Sequence, residues 1–217
     1  MDAFQTEEMK AVRRKARDYF GRGGAITSGD LTSLPDRVWR DLLGTPDTSI
    51  GSVSNDRAGL SVRALIIDEA SSHSPRLGLN LLSRWISRET EGSPEARLFR
   101  LARQAGTAAH VFEAGVLAAR EKGLFASSLM GFREVQESLA GLVSGVETLR
   151  LGACRVCHLL DHGERERGEA ESIPLYAKGL TLLRDARSLA LGLLGEAWTK
   201  DNLPEDESPS ENERNRS

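Results

Sequence analysis

Three long stretches of regularly spaced apolar residues, all after residue 93, most constrain the fold of this 217-residue chain. Apolar residues recur at steps of three and four from Pro94 to about Lys122, from about Leu129 to His162, and from Pro174 to Trp198. This spacing places one apolar stripe along each helix. At 1.5 Å per residue the first two helices would be about 40 to 50 Å long. The sequence therefore predicts a long antiparallel bundle that resembles a four-helix bundle, because such helices bury their stripes by packing side by side.

The first part of the chain carries shorter helical patterns. They cover Thr6 to Phe20, Leu34 to Gly44, Leu60 to Ala70, and Pro75 to about Glu89. No stretch has the period-two alternation of a half-buried strand. We therefore expect an all-α protein with N-terminal helices in residues 1–90, a helical bundle in residues 91–203 and a disordered polar tail in residues 204–217.

The charge and the apolar runs limit the partners and the compartment. A formal net charge of -3 argues against a nucleic-acid-binding protein, because binding phosphates requires a basic face. Acidic residues flank the basic cluster between Lys10 and Arg17 on both sides, at Glu7, Glu8 and Asp18. This favours a solvated helix face, with an anion or partner patch as the alternative. No apolar run is long enough to span a membrane, and the N-terminus does not resemble a signal peptide. We expect a cytoplasmic protein with Cys154 and Cys157 as thiols.

One segment contains cysteines and histidines at spacings typical of haem attachment and of metal binding. Cys154, Cys157 and His158 match the Cys-x-x-Cys-His pattern of c-type haem attachment, and Cys154, His158 and His162 lie on one helix face as three zinc-type ligands. Haem attachment requires export, and three ligands spread over two turns of one helix do not converge on a tetrahedral ion. Buried mid-helix cysteines and a histidine near a helix C-terminus are the simpler interpretation, so we predict no metal site.

Several segments resemble one family in order along the chain. In residues 120–140 the spacing of Phe125, Phe132 and Gln136 is similar to the start of the C-terminal helical bundle of acyl-CoA dehydrogenases. Arg97 and Gly106 fall where that family has an Arg and a Gly in the preceding long helix. Further similar segments are Thr6 to Asp18, Leu34 to Leu42, Leu65 to Leu82, and Leu193 to Glu205. The resemblance implies an acyl-CoA dehydrogenase-like fold for both helical parts.

The resemblance also shows what this chain does not carry. The family has a β domain between its two helical parts, where this chain has only residues 90–93. Family members abstract a proton with a glutamate, and Ala96 stands at one of the positions that the family uses for it. The more widespread position lies beyond the segment that ends at Glu205, within the polar tail. We therefore predict no catalytic residue.

The remaining family positions concern flavin and substrate. The resemblance implies flavin positions at Lys122, Phe125, Phe132 and Arg133, and a substrate position at Arg97. Lys122 replaces the family's Arg and Arg133 its Gln, while the two phenylalanines also suit core anchors.

These replacements predict a non-catalytic subunit without a cofactor of its own. It would form a homo-oligomer, or a hetero-oligomer with a full-length flavin-dependent acyl-CoA dehydrogenase. The alternative is a working subunit of a heteromeric enzyme, with FAD bound only in the complex, and a helical scaffold or regulator is a third.

Overall fold

The computed structural model describes residues 7–21, 57–86, 92–124 and 127–203. Within those residues the chain forms seven α-helices, one 3-10 turn at Leu129–Gly131 and a hairpin that pairs Gly123–Leu124 with Ser127–Ser128. The helices are α1 Glu7–Gly21, α2 Arg57–His73, α3 Pro75–Trp85, α4 Pro94–Glu121, α5 Arg133–Asp161, α6 Arg165–Leu193 and α7 Glu196–Asn202. The all-α prediction is confirmed, and two-residue strands are the only β structure in the described ranges.

Helix α4 is the centre of the molecule, since it packs on α2, α5 and α6. It begins where the sequence predicts, because the Ser93 side chain accepts a hydrogen bond from the Ala96 N–H at 3.1 Å and Pro94 occupies the first turn. Small side chains let its neighbours come close. At Gly106 an added Cβ would lie 2.2 Å from the Asp68 carbonyl oxygen, so α2 and α4 nearly touch through their backbones.

The helices around α4 alternate in direction. Arg97, near the start of α4, contacts Ser172 near the start of α6, and Lys122, just after α4, contacts Leu193 at the end of α6, so these helices run parallel. Helix α5 runs antiparallel to α6, since Gly145 packs against Leu182. A Cβ at that position would lie 2.3 Å from a terminal methyl of Leu182, so a larger residue there requires the leucine side chain to move.

The core extends through both parts of the chain. One cluster joins α1, α2, α3, α4 and α5, with members such as Phe20, Ile66, Leu81, Leu98 and Val156. A second cluster joins α4, α5 and α6 around Leu101, Val111, Leu149, Tyr176 and Leu182. The helices on either side of the expected boundary at residues 90 and 91 therefore share one buried core.

Several helix boundaries differ from the expectations. The stretch expected to run from Pro174 to Trp198 was wrong at both ends, because α6 begins at Arg165 with Pro174 inside it, and Gly195 (φ 96°) separates it from α7. Proline disfavours a helix interior, but packing of the helix on α4 outweighs that cost. The second stretch begins as a 3-10 turn before α5, and α3 ends at Trp85 rather than near Glu89. The helix expected at Leu34 to Gly44 and the tail from residue 204 lie outside the described residues.

Candidate functional site

Arg97, the expected substrate residue, is buried and fully engaged within the chain. It is 6% exposed, and its Nε donates to the Ser172 hydroxyl at 3.0 Å. Its Nη1 donates to the Gly92 carbonyl at 2.8 Å, and its Nη2 pairs with Glu169 at 3.0 Å. All three guanidinium nitrogens are thus bonded within the chain, two of them to side chains in the N-terminal part of α6 and one to the segment before α4.

Lys122, an expected flavin contact, binds the end of another helix. Its Nζ donates a 2.6 Å hydrogen bond to the carbonyl of Leu193, the last residue of α6. The last carbonyls of a helix have no partner inside it and attract cations. The ammonium of Lys122 therefore stabilises the C-terminus of α6.

The other expected flavin positions lie around the start of α5. Arg133 is 86% exposed and pairs with Glu137 at 2.6 Å, one turn further along α5. Phe132 is half-buried in the cap position of α5, and Phe125 lies outside the described residues. Lys122 and Arg133 share one end of the bundle, whereas Arg97 lies about 37 Å away along α4. The structure does not bring Arg97 together with the flavin positions.

An ionic cluster around the buried carboxylates of Asp68 and Glu69, formed with Arg13, Arg150 and the largely exposed Arg17, was not predicted from the sequence. The Asp68 carboxylate, 4% exposed, accepts from Arg13 Nη2 at 2.7 Å and from Arg150 Nε and Nη2 at 3.0 Å each. Glu69, also 4% exposed, accepts from Arg13 Nε at 2.8 Å and from Arg17 Nε at 3.3 Å. The cluster ties α1 and α5 to α2.

The charges in this cluster support one another. Burial alone would lower the pKa of Arg150, but the charge and hydrogen bonds of Asp68, together with the charges of Glu69 and Glu147, outweigh burial and raise it. Arg150 is therefore permanently charged. The sequence signal for the cluster was Asp68 and Glu69 standing inside the otherwise apolar run from Leu65 to Ala70, since buried acids require cationic partners.

A cavity of about 230 Å³ adjoins this cluster, between α1, α2, α4 and α5. Arg13, Asp68 and Arg150 line it on one side, and Ser61 and Asp161 line it elsewhere. The Ser61 hydroxyl donates to the Asp161 carboxylate at 3.4 Å. The middle is formed by small apolar side chains, chiefly alanines, together with two thiols.

The two thiols are Cys154 and Cys157, both free and one turn apart on α5. Burial raises the pKa of Cys154, and it raises the pKa of Cys157 to about 12. Both thiols are therefore protonated at neutral pH, and a thiolate is the reactive form. They add neutral, weakly polar surface to the cavity rather than a nucleophile.

The two histidines of this segment, His158 and His162, lie together at the C-terminal end of α5. His162 Nδ1 lies 2.8 Å from the carbonyl oxygen of His158, and the two rings are 4.0 Å apart. Across the described ranges, no group of three or more His, Cys, Asp and Glu residues could hold a metal ion.

A half-buried histidine, His110, lies on α4 against α7. His110 Nδ1 donates to the Ser72 carbonyl at 3.0 Å, its ring stacks on Trp198 at 5.7 Å, and its Nε2 is buried without a hydrogen-bond partner. Burial lowers the pKa of His110, and the hydrogen bond to Ser72 and the charge of Glu113 offset that effect only in part. A second proton would place an unpaired N–H donor in the interior.

Because of His110, acidification is expected to destabilise the fold. The pKa of His110 is lower in the folded than in the unfolded chain. The contribution of neutral His110 to the free energy of unfolding is therefore complete above the ordinary histidine pKa of about 6.5. It is lost as the pH falls from there towards the pKa in the folded chain. Urea unfolding at about pH 7.5 and about pH 5.5 measures this loss. His110→Gln should reduce it, whereas His162→Gln, at the exposed end of α5, should not. Equal losses in all three chains would contradict the assignment.

Comparison with known proteins found no match among protein-family models, curated proteins or solved structures. The resemblance to acyl-CoA dehydrogenases therefore stays a prediction from the motifs. None of the helices in the described ranges combines the length and the apolarity that a membrane-spanning segment requires.

Proposed function

We propose that this protein is a non-catalytic, acyl-CoA dehydrogenase-like helical subunit that assembles with a second copy of itself. The observation that supports this most concerns the three cationic residues at the family's cofactor and substrate positions, all of which bind other groups of this chain. Arg97 is buried in bonds between α4 and α6, Lys122 caps α6, and Arg133 pairs with Glu137 on the surface. These residues do not fit a flavin site in this chain by itself.

The candidate positions for a catalytic base support the same proposal. Ala96 stands where some family members place their glutamate, and its side chain is 2% exposed. The adjacent Glu95 accepts two hydrogen bonds from Arg165, at 2.6 and 3.1 Å. Its carboxylate thus joins the starts of α4 and α6 and carries no separate role as a base. Only residues 86–93 lie between α3 and α4, so the family's β domain has no place there.

The outer face of α6 offers the surface for assembly. Ile173 is 53% exposed and Leu191 is 47% exposed, although large apolar residues prefer burial. They lie on one face about 27 Å apart, because five whole turns separate them. If two copies of α6 pair antiparallel about a two-fold axis level with residue 182, whose own side chain points into the core, Ile173 of each copy faces Leu191 of the other. The two apolar ends of this face are therefore self-complementary, as an isologous interface requires, and Ala177, Leu180, Arg184 and Arg187 lie between them.

Introducing negative charge at Ile173 and Leu191 should dissociate the assembly. We expect light scattering after gel filtration to give a dimer or larger oligomer for the native chain and a monomer for Ile173→Asp combined with Leu191→Asp. Two carboxylates in an apolar interface would remain unpaired. The matched control is Leu117→Asp, since Leu117 is 59% exposed on α4. A monomeric native chain, or dissociation by the control alone, would refute self-assembly through α6.

A second candidate, a subunit of a heteromeric FAD-dependent acyl-CoA dehydrogenase, is favoured by one observation. Lys122 and Arg133 flank the same hairpin, and the 86% exposure of Arg133 leaves it accessible to a flavin held by a partner. Purification of the chain from its host together with a yellow acyl-CoA dehydrogenase would favour this candidate over self-assembly. Loss of the flavin colour in Arg133→Glu would assign Arg133 to the shared site.

A further inference from the structure

The cavity between α1, α2, α4 and α5 is large enough for a small organic molecule. Its volume is about 230 Å³. An apolar cavity of about 150 Å³ in a protein core holds benzene, so this one accommodates a ring with a short arm. None of the residues of the proposed α6 interface lines it. The two surfaces can therefore be tested independently.

The middle of the cavity suits an apolar body. Its walls there are the side chains of Ala64 and Leu65 from α2, Ala102 and Ala105 from α4, and Ala153 from α5. Methyl groups leave the space that larger side chains would fill. They offer no hydrogen-bond partners to water, so an apolar group gains by displacing solvent from this region.

One end of the cavity has more hydrogen-bond donors than acceptors. Each guanidinium carries five N–H groups, and Arg13 and Arg150 both line the cavity. Asp68 accepts four hydrogen bonds from them, Glu69 accepts one from Arg13 and Ser72 one from Arg150. Arg150 Nη1 lies 3.6 Å from Glu147, beyond hydrogen-bond distance. An acceptor that presents two oxygens in one plane, such as a carboxylate, matches guanidinium donors best.

The opposite end of the cavity carries a carboxylate, which disfavours a second anionic group on the ligand. Asp161 lines the cavity there and accepts a hydrogen bond from Ser61. Ser61 and Asp68 lie about 10 Å apart along α2, which sets the distance between the two polar ends. A ligand with one carboxylate places it at the Arg13 and Arg150 end, where the charge of Asp68 is already compensated by both guanidiniums, rather than beside Asp161.

We propose that this cavity binds a small monocarboxylate with an apolar body, about ten non-hydrogen atoms in all. Its carboxylate meets Arg13 and Arg150, and its apolar part lies among the alanines. The proposal does not depend on self-assembly, since a monomeric chain would contain the same cavity.

Calorimetric titration of the full chain with three probes of one shape tests the charge requirement. The probes are 3-phenylpropanoate, 3-phenylpropanamide and 3-phenylpropylamine. We expect saturable binding of one carboxylate per chain with a Kd on the order of 1 mM or tighter, and at least about tenfold weaker binding of the amide and the amine. These measurements use the native chain, so no variant has to fold.

A cavity-filling variant tests the location. Ala153→Leu places three further carbon atoms in the cavity and should weaken binding of the carboxylate at least about tenfold. Ala140→Leu makes the same change at an exposed position of α5, away from the cavity and from the proposed α6 interface, and should leave binding unchanged. Helical content by circular dichroism checks that both variants fold. No saturable binding of the carboxylate, binding of the amine as tight as that of the carboxylate, or unchanged binding in a folded Ala153→Leu chain would overturn the proposal.

Discussion

Replacing Gly106 by alanine is expected to lower the free energy of unfolding by about 3 kcal/mol, at the upper end of the usual cost of overpacking. The added Cβ would lie 2.2 Å from the Asp68 carbonyl oxygen, 2.6 Å from Ser71 Cβ and 3.0 Å from the Ser72 amide nitrogen. Two of these atoms belong to the backbone of α2, so no side-chain rotation relieves the clash. Helices α2 and α4 must separate.

Gly141 is the matched control for this substitution. It lies within α5, where an added Cβ meets no atom within 4 Å. Alanine is preferred over glycine in a helix interior, so Gly141→Ala should raise the free energy of unfolding by about 0.5 to 1 kcal/mol. Urea unfolding followed by circular dichroism measures both changes. Stabilisation by alanine at both positions would mean that α2 and α4 do not approach as closely as described.

The helical architecture was largely predictable because it depends on local patterns. The apolar stripe of α4 and the pair Ser93 and Pro94 define that helix in the sequence itself, and the structure begins it at Pro94. Helix α6 was predicted poorly, because Pro174 is read locally as a helix start. Its first residues are helical through tertiary contacts, among them the hydrogen bond between Arg97 and Ser172. Contacts of that kind have no period in the sequence.

The candidate site was much less predictable for the same reason. Asp68 meets Arg13 and Arg150 across 55 and 82 residues of sequence, and nothing local indicates which arginine reaches which acid. The cavity depends on which alanines of three helices face one another, a property of packing alone. Lys122 is a case in which the sequence pattern indicated one contact and the structure shows another. The family resemblance suggested a cofactor contact, whereas in the structure its ammonium binds the last carbonyl of α6.

Replacing Asp68 by asparagine is expected to cost about 3 kcal/mol of folding free energy, the lower end of what breaking a buried ion pair costs. The substitution keeps the shape of the side chain and removes its charge, which leaves Arg13 and Arg150 without their shared carboxylate. The lower end applies because the side chains of Arg13 and Arg150 are 23% and 21% exposed, so water compensates them in part. Urea unfolding at neutral pH measures the change.

Two further variants separate the loss of charge from the loss of packing. Glu137→Gln breaks the exposed pair with Arg133, in which the Glu137 side chain is 63% exposed, and should cost no more than about 0.5 kcal/mol. Asp68→Leu combined with Arg150→Met removes both charges of one buried pair and should be less destabilising than Asp68→Asn, because uncompensated buried charge is the main cost. If the double variant is instead the less stable of the two, the hydrogen-bond geometry of the ionic cluster, rather than its charge balance, holds α2 against α5.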